Sequence, residues 1–155
     1  MTSKQLLLVA HAPSPNTQKL VDALLQGASH PDIEQVHTRW LPPLRTQPED
    51  VLTADAIILG TTENLGYMSG ALKDFFDRCY YPVLEKKQGL PCALFIRAGL
   101  DGTGTRRAVE SIVTGLRWKW IQEPLTLRGK WQDEFLKQVE ELGLSVAAGL
   151  EAGIY

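Results

Sequence analysis

The 155-residue sequence contains little cysteine, no large excess of either charge and no long apolar run. Its two cysteines, Cys79 and Cys92, are too few for a disulfide framework or a cysteine-rich metal site, which favours a reducing compartment. Sixteen basic and eighteen acidic residues give a formal charge of −2. This balance argues against a basic surface for nucleic acids or acidic membranes, so we expect neither as a partner.

The segments that could direct export or membrane insertion are short. The apolar run at residues 6–10 is shorter than the hydrophobic region of a signal peptide, and a single lysine precedes it. No stretch approaches the ~20 apolar residues of a membrane span. We therefore expect a cytoplasmic protein, and its length suits one domain over residues 1–155.

Short apolar runs alternate with amphipathic segments along the chain. Continuous apolar runs are typical of strands that are buried on both faces of a sheet. Such runs predict strands at residues 6–10, 55–60 and 92–96, with weaker candidates at 33–37 and 125–127. Because helical segments separate these strands, the pattern predicts a five-stranded parallel sheet with helices on both faces, an α/β fold.

Helices are predicted where apolar residues recur at helical spacing. This spacing occurs within residues 20–25, 72–83, 109–116 and 135–146, and a further short helix is predicted at 48–54. Gly27 is expected to end the first helix, because glycine is a common helix terminator. Cys79, Trp118 and Trp120 are expected to be packing residues.

The connection after the first strand, residues 11–17, is rich in small and polar residues. In a parallel α/β sheet, ligands bind beyond the carboxyl ends of the strands. The N-terminus of the following helix favours an anion, so Ser14, Asn16 and Thr17 are predicted to bind a phosphate. Helix capping by Asn16 or Thr17 explains the same residues, and Pro15 removes one backbone donor.

The connection after the third strand carries the most specific motif. Residues 61–70 read Thr-Thr-Glu-Asn-Leu-Gly-Tyr-Met-Ser-Gly, followed by Ala-Leu-Lys and, one turn later, Asp77 and Arg78. Residues 66–73, with Asp77 and Arg78, resemble the isoalloxazine-binding loop of flavodoxin-like NAD(P)H-dependent FMN reductases and quinone reductases. The glycines permit close approach of the backbone to a flat ring, and Tyr67 can stack on it.

The resemblance implies that this connection binds the flavin ring. The residues it assigns to the cofactor here are Thr61, Thr62, Glu63, Asn64, Leu65, Gly66, Tyr67, Met68, Ser69 and Gly70. In the alternative interpretation, Ser69 caps the next helix while Tyr67 and Met68 pack in the core. Capping and packing account for Ser69 but leave the glycine spacing unexplained.

The connection after the fourth strand, residues 97–105, contains three glycines and an aspartate. The resemblance implies that Gly99, Asp101 and Gly102 close the other side of the flavin. An ordinary capped turn before the next helix is the alternative. The Gly-x-Gly at 102–104 lacks the third glycine of a dinucleotide fingerprint and does not follow the first strand.

The resemblance also implies a fold and an activity. The fold is a three-layer, flavodoxin-like, doubly wound sheet of five parallel strands in the order 2-1-3-4-5. The implied activity is that of an NAD(P)H-dependent FMN oxidoreductase, often homodimeric, which passes electrons from a small-molecule donor to a quinone-like or other small acceptor. The alternative is a flavodoxin-type electron carrier without NAD(P)H activity. FMN carries the chemistry in both cases, with NAD(P)H as co-substrate only in the first.

Few side chains qualify as catalytic groups. Tyr67 and His11 are the candidates, and His11 at the mouth of the first connection also suits a structural role in the turn. No metal site is expected, because His30 and His37 have no partner at metal-ligand spacing. A phospho-acceptor module on the same sheet would need an acidic pair where this chain has His11.

Overall fold

The computed structural model describes residues 3–155 as a parallel sheet with helices on both faces. Its strands are β1 (Lys4–Ala10), β2 (Val36–Leu41), β3 (Ala56–Asn64), β4 (Tyr67–Met68), β5 (Pro91–Ala98), β6 (Lys119–Trp120) and β7 (Leu125–Arg128). Its α-helices are α1 (Pro15–Ala28), α2 (Pro48–Leu52), α3 (Gly70–Val83), α4 (Thr103–Leu116) and α5 (Glu134–Ala152), with a short 3-10 turn at Pro43–Arg45.

The sheet has the predicted order, with one strand position divided in two. The parallel strands run β2-β1-β3-β5, and both β6 and β7 pair with the far side of β5. β6 pairs with the start of β5 and β7 with its end, so together they fill the place of the predicted fifth strand. β4 is antiparallel to β3 and belongs to a hairpin that the sequence did not predict.

The second strand lies later in the chain than predicted. β2 covers Val36–Leu41, whereas the sequence predicted residues 33–37. The backbone N–H groups of Glu34 and Gln35 donate to the carboxylate of Glu151, at 2.7 and 2.6 Å. These bonds hold residues 33–35 as a connection, and the pairing with β1 starts at Val36.

The prediction that Gly27 ends the first helix is wrong. α1 continues through Ala28, and its C-cap is Ser29. A Cβ on Gly27 would lie 2.0 Å from the Glu140 carbonyl oxygen, and one on Gly143 would lie 2.3 Å from the Leu24 carbonyl oxygen. Glycine is needed at both positions because α1 and α5 touch backbone to backbone.

Each face of the sheet has its own apolar core. Leu7, Val9, Ile57 and Leu59 pack with α3 and α4, and the alternate residues of the same strands pack with α1 and α5. Cys79 and Trp118 are buried in the first core and Trp120 packs against it, as predicted. Within residues 3–155, no helix is both long and apolar enough to cross a membrane.

Candidate functional site

The structure brings the three predicted connections to the carboxyl edge of the sheet. Residues 11–14 follow β1, residues 65–66 follow the end of β3, and residues 99–102 follow β5. Because β1, β3 and β5 are neighbouring parallel strands, their ends form one continuous edge.

The first connection is organised by a capping box between Ser14 and Thr17. The Ser14 hydroxyl accepts from the Thr17 backbone N–H at 3.2 Å, and the Thr17 hydroxyl accepts from the Ser14 N–H at 2.9 Å. The N-cap of α1 is therefore Ser14, rather than Asn16 or Thr17 as the capping interpretation expected. Thr17 is buried, while Asn16 is exposed.

Two backbone donors remain available in this connection. Among residues 3–155, no acceptor pairs with the N–H groups of Ala12 and Asn16, whereas the His11 N–H donates to Gly60 at 3.0 Å. Pro13 and Pro15 have no N–H to offer. The free donors lie at the positive end of the α1 dipole, which favours an anion.

The second connection is a β-hairpin rather than the predicted loop. β3 continues to Asn64 and returns as β4, with Glu63 opposite Met68 and Asn64 opposite Tyr67. Leu65 and Gly66 form the tip with φ of 53° and 75°. Two left-handed residues are what a tight two-residue hairpin turn requires. The side chain of Leu65 is fully exposed.

The base of the hairpin is fixed by two buried hydroxyl groups. The Thr61 hydroxyl accepts from the Ser69 N–H at 2.9 Å, and the Ser69 hydroxyl accepts from the Leu72 N–H at 3.1 Å, which caps α3. Met68 is also buried. The alternative interpretation is thus right for Ser69 and Met68, but Tyr67 is 42% exposed and does not lie in the core.

The tip of the hairpin is bound to the third connection. The Glu63 carboxylate accepts from the backbone N–H groups of Leu100 and Gly102, at 2.9 and 2.8 Å. The Thr105 hydroxyl donates to the Tyr67 carbonyl at 2.9 Å. A Cβ on Gly104 would lie 2.2 Å from the Gly66 carbonyl oxygen, so only glycine allows this contact. The hairpin and the third connection therefore form one rigid unit.

The third connection combines a capped turn with open backbone. The Thr103 N–H donates to the Asp101 carboxylate at 3.0 Å, and this bond holds the pKa of that carboxyl below its ordinary value. Gly102 is buried with φ of 71°, whereas a Cβ on Gly99 would meet nothing within 4 Å. The Gly99 N–H has no acceptor among residues 3–155, whereas the Asp101 N–H lies against the carboxylate of its own side chain.

His11 lies where the first connection leaves β1. Burial lowers the pKa of its imidazole, so the neutral form is favoured. The Trp40 indole N–H donates to the Ala10 carbonyl at 3.0 Å, which places an aromatic ring beside this position. The sequence analysis did not single out Trp40, an aromatic residue near the end of β2, two residues before the Pro42–Pro43 pair.

The charged residues of the motif stabilise the helix that follows the hairpin. Arg78 pairs with Asp74 at 2.7 Å and donates to the carbonyls of Pro43 and Thr46, at 2.8 and 2.7 Å. Lys73 pairs with Asp77 across one turn of the exposed face. Arg78 holds α3 to the 43–46 turn, and these charged residues lie outside the carboxyl-edge connections.

The family model for NADPH-dependent FMN reductase matches residues 11–122. The chain belongs to this family. A flavodoxin from Aquifex aeolicus (strain VF5) is 29% identical over 112 residues, which cover 72% of this chain and 60% of that protein. The chain therefore spans less than two-thirds of that relative's length.

Solved structures of flavodoxins share the fold of this chain. A flavodoxin from the domain Archaea has a TM-score of 0.80 and 18% identity, and the match covers 95% of this chain and 99% of that protein. A flavodoxin, WrbA-like protein from Agrobacterium tumefaciens has a TM-score of 0.73 and 17% identity, and the match covers 97% of this chain and 99% of that protein. The predicted flavodoxin-like fold, the predicted family and FMN as the cofactor are confirmed.

The carboxyl edge of this family member has the features that FMN needs. Free N–H groups at Ala12 and Asn16 suit a phosphate, and that of Gly99 suits the polar edge of the ring. A Cβ added at Gly66, Gly70 or Gly99 would have no other atom within 4 Å, so a flat group can approach the backbone at these positions. Residues 3–155 contain no group of three acidic, histidine or cysteine side chains that could hold a metal ion.

Proposed function

We propose that the protein is an NAD(P)H-dependent FMN oxidoreductase that passes electrons to a quinone-like or other small acceptor. The observation that supports this proposal most directly is the rigid unit of hairpin and third connection, held by Glu63 beside the free donors of the first connection. FMN, when bound, supplies the electron-transfer chemistry. The residues of the chain bind it, orient it and limit the access of water.

The first connection would hold the phosphate. Asn16 offers a free N–H and an exposed side-chain amide, and Ala12 offers a second N–H. Ser14 and Thr17 act by holding the turn, because their hydroxyls bond to each other's backbone. In this proposal, donors to the phosphate come mainly from backbone N–H groups at the positive end of α1.

The hairpin would hold the ring. Its accessible members are Thr62, Asn64, Leu65, Gly66 and Tyr67, which line one rim of the carboxyl edge. Thr61, Met68 and Ser69 are buried and would shape the hairpin without touching the ligand. Tyr67 has an exposed ring on a fixed backbone, which suits stacking on a flat heteroaromatic group.

The third connection would stabilise negative charge at the polar edge of the ring. Since Glu63 occupies the N–H groups of Leu100 and Gly102, and the Asp101 N–H lies against its own carboxylate, the donor left is that of Gly99. Backbone donors fixed before the reaction stabilise developing charge without reorganising. No general acid is required, and Tyr67 and His11 are the two side chains whose replacement tests for one.

NAD(P)H oxidation by FMN-loaded protein tests this function. We expect turnover of NADPH or NADH that depends on added quinone or ferricyanide and falls in a Tyr67→Ala variant. Exposed Lys137→Gln on α5 is the matched control and should behave as the unmodified protein. If the FMN-loaded protein oxidises neither nucleotide in the presence of an acceptor, the proposed enzymatic activity is refuted.

A flavodoxin-type electron carrier is the second candidate. It is favoured by the relative from Aquifex aeolicus, which is named a flavodoxin. The same FMN site would serve, but NAD(P)H would not react. A reductive titration that proceeds in two separate one-electron steps, together with inertness toward NAD(P)H, would favour the carrier.

A further inference from the structure

Two leucines are exposed at the carboxyl edge, one on each of the two segments placed beside the flavin ring. Leu65, at the tip of the hairpin, is fully exposed, and Leu100, in the third connection, is 79% exposed. Leucine is among the residue types most often buried in folded proteins. Neither leucine is among the described residues that form the two apolar cores, so core packing explains neither.

The backbone at Leu65 makes leucine an unfavourable choice for the hairpin tip. Its φ of 53° lies in the left-handed region, which favours glycine and asparagine. An asparagine would suit this two-residue turn better and would expose no apolar side chain. Because the leucine serves neither the turn nor a core, its side chain points to contact with another molecule.

The two leucines are held on one rigid unit. The Glu63 carboxylate, two residues before Leu65, accepts from the Leu100 N–H at 2.9 Å. The Gly66 carbonyl lies against Gly104, where only glycine fits. The side chains of Leu65 and Leu100, here called the leucine rim, are therefore presented on a backbone that needs no ordering when a ligand binds.

The charged groups that border the leucine rim offset one another. Four arginines and four carboxylates lie on or beside the hairpin and the third connection: Arg97, Arg106, Arg107 and Arg128, with Glu63, Asp101, Glu110 and Glu123. Both carboxylates within the two segments, those of Glu63 and Asp101, accept from backbone N–H groups. Lys73, which follows the hairpin, pairs with Asp77. This balance gives no net electrostatic attraction for a charged ligand.

We infer that Leu65 and Leu100 bind the electron acceptor and make the protein select uncharged, apolar acceptors over anionic ones. The inference rests on the proposed function for the reaction that the acceptor enters. A flat apolar molecule that covers the two side chains gains free energy from the apolar area removed from water. An anion such as ferricyanide gains nothing from that contact and loses hydration when it approaches.

Steady-state kinetics of FMN-loaded protein with two acceptors test this selectivity. The acceptors are menadione, which is an uncharged apolar naphthoquinone, and ferricyanide. In Leu100→Ser, we expect kcat/KM for menadione to fall roughly fivefold to tenfold, mainly through a higher KM. The kcat/KM for ferricyanide and the dissociation constant of FMN should stay unchanged.

A second substitution and a matched control accompany Leu100→Ser. Leu65→Asn keeps a residue that suits the left-handed turn, so a similar loss with menadione cannot come from a misfolded hairpin. Ile154→Ser removes an apolar side chain of similar exposure, 70%, at the opposite end of the sheet, where Lys4 begins β1 and donates to the Leu150 carbonyl. It should behave as the unmodified protein with both acceptors.

Three results would overturn the inference. Menadione kinetics that do not change in Leu100→Ser would show that the rim does not bind the acceptor. Equal losses with menadione and ferricyanide would show that it does not select between them. A parallel rise in the dissociation constant of FMN would show that the leucine covers the cofactor instead.

An equilibrium measurement separates this inference from the proposed function. Oxidised FMN-loaded protein has no electrons to give, so menadione can be titrated without turnover while NMR follows the leucine methyl groups. We expect saturable shifts at Leu65 and Leu100, and binding several-fold weaker for an anionic naphthoquinone sulfonate. If these shifts occur but NAD(P)H is not oxidised, the proposed function fails and the acceptor site stands. If NAD(P)H is oxidised but the shifts are absent, only this inference is overturned.

Discussion

The carboxylate of Glu63 and the backbone N–H of Gly102 are 2.8 Å apart, although 39 positions separate the residues in the sequence. The same carboxylate accepts from Leu100 at 2.9 Å. The motif resemblance assigned Glu63 to the cofactor, whereas the structure uses both of its oxygens to fix the third connection against the hairpin. We therefore interpret Glu63 as a positioning residue of the site.

Glu63→Gln tests this role. The amide keeps one acceptor but turns its NH2 group toward a backbone N–H, so one of the two bonds is lost and a donor is left unpaired. We expect the free energy of unfolding of the FMN-free protein to fall by about 1–3 kcal/mol, measured by urea denaturation. Glu141→Gln on the exposed side of α5 should change it by less than about 0.5 kcal/mol. Equal stability of the two variants would contradict the role of Glu63.

Substitutions of Ser14 and Asn16 should distinguish helix capping from ligand binding. Ser14→Ala removes the cap of α1 and should cost about 1 kcal/mol of stability, measured on the FMN-free protein. Asn16→Ala should leave stability nearly unchanged and raise the dissociation constant of FMN roughly fivefold, equivalent to one neutral hydrogen bond of about 1 kcal/mol. The reverse pattern would show that Asn16 is structural and that the Ser14 hydroxyl contacts the ligand.

Gly27→Ala should be destabilising because the new methyl group would meet the backbone of α5. A Cβ built at this position would meet the Glu140 carbonyl oxygen, which is backbone, so α1 and α5 would have to move apart. We expect a loss of about 1–3 kcal/mol, which is typical of overpacking. Gly70→Ala, in open space at the start of α3, is the control and should be neutral or slightly stabilising. A Gly27→Ala protein as stable as Gly70→Ala would refute the close approach of α1 and α5.

His11 should make stability depend on pH in the mildly acidic range. Burial lowers its pKa in the folded state, so below the ordinary value of about 6.5 the unfolded chain binds a proton more readily than the folded one. The stabilisation that the neutral imidazole gives the folded state is complete above about pH 6.5, and it is lost as pH falls toward the lowered pKa. His11→Gln should flatten the fall in unfolding free energy below about pH 6.5. An unchanged slope in His11→Gln would contradict the prediction.

The sequence predicted the central strands because residues 6–10, 55–60 and 92–96 are continuous apolar runs, typical of strands covered on both faces. It misplaced the edge strand β2, whose residues are only partly buried and carry a weaker pattern. It placed the three connections at one edge, because parallel strands end together. The hairpin was missed because its tip is Leu65–Gly66 and not one of the common Asn-Gly or Asp-Gly turns.

Tertiary contacts account for the remaining differences. Gly27 carries a local signal for a helix end, but its role is set by Glu140 on a distant helix. The bonds from Glu63 to Leu100 and Gly102 join segments far apart in sequence, and no spacing rule predicts such a contact. The same holds for Arg97, whose partners Leu127 and Phe135 come from later elements.

The most direct test of the carboxyl-edge site is a titration of FMN-free protein with FMN, followed by flavin fluorescence and absorption. We expect saturable uptake of one FMN per chain, with weaker binding in Asn16→Ala and unchanged binding in Lys137→Gln. Protein that takes up no FMN at saturating concentration, or that binds it equally well after Asn16→Ala and Tyr67→Ala substitution, would contradict it.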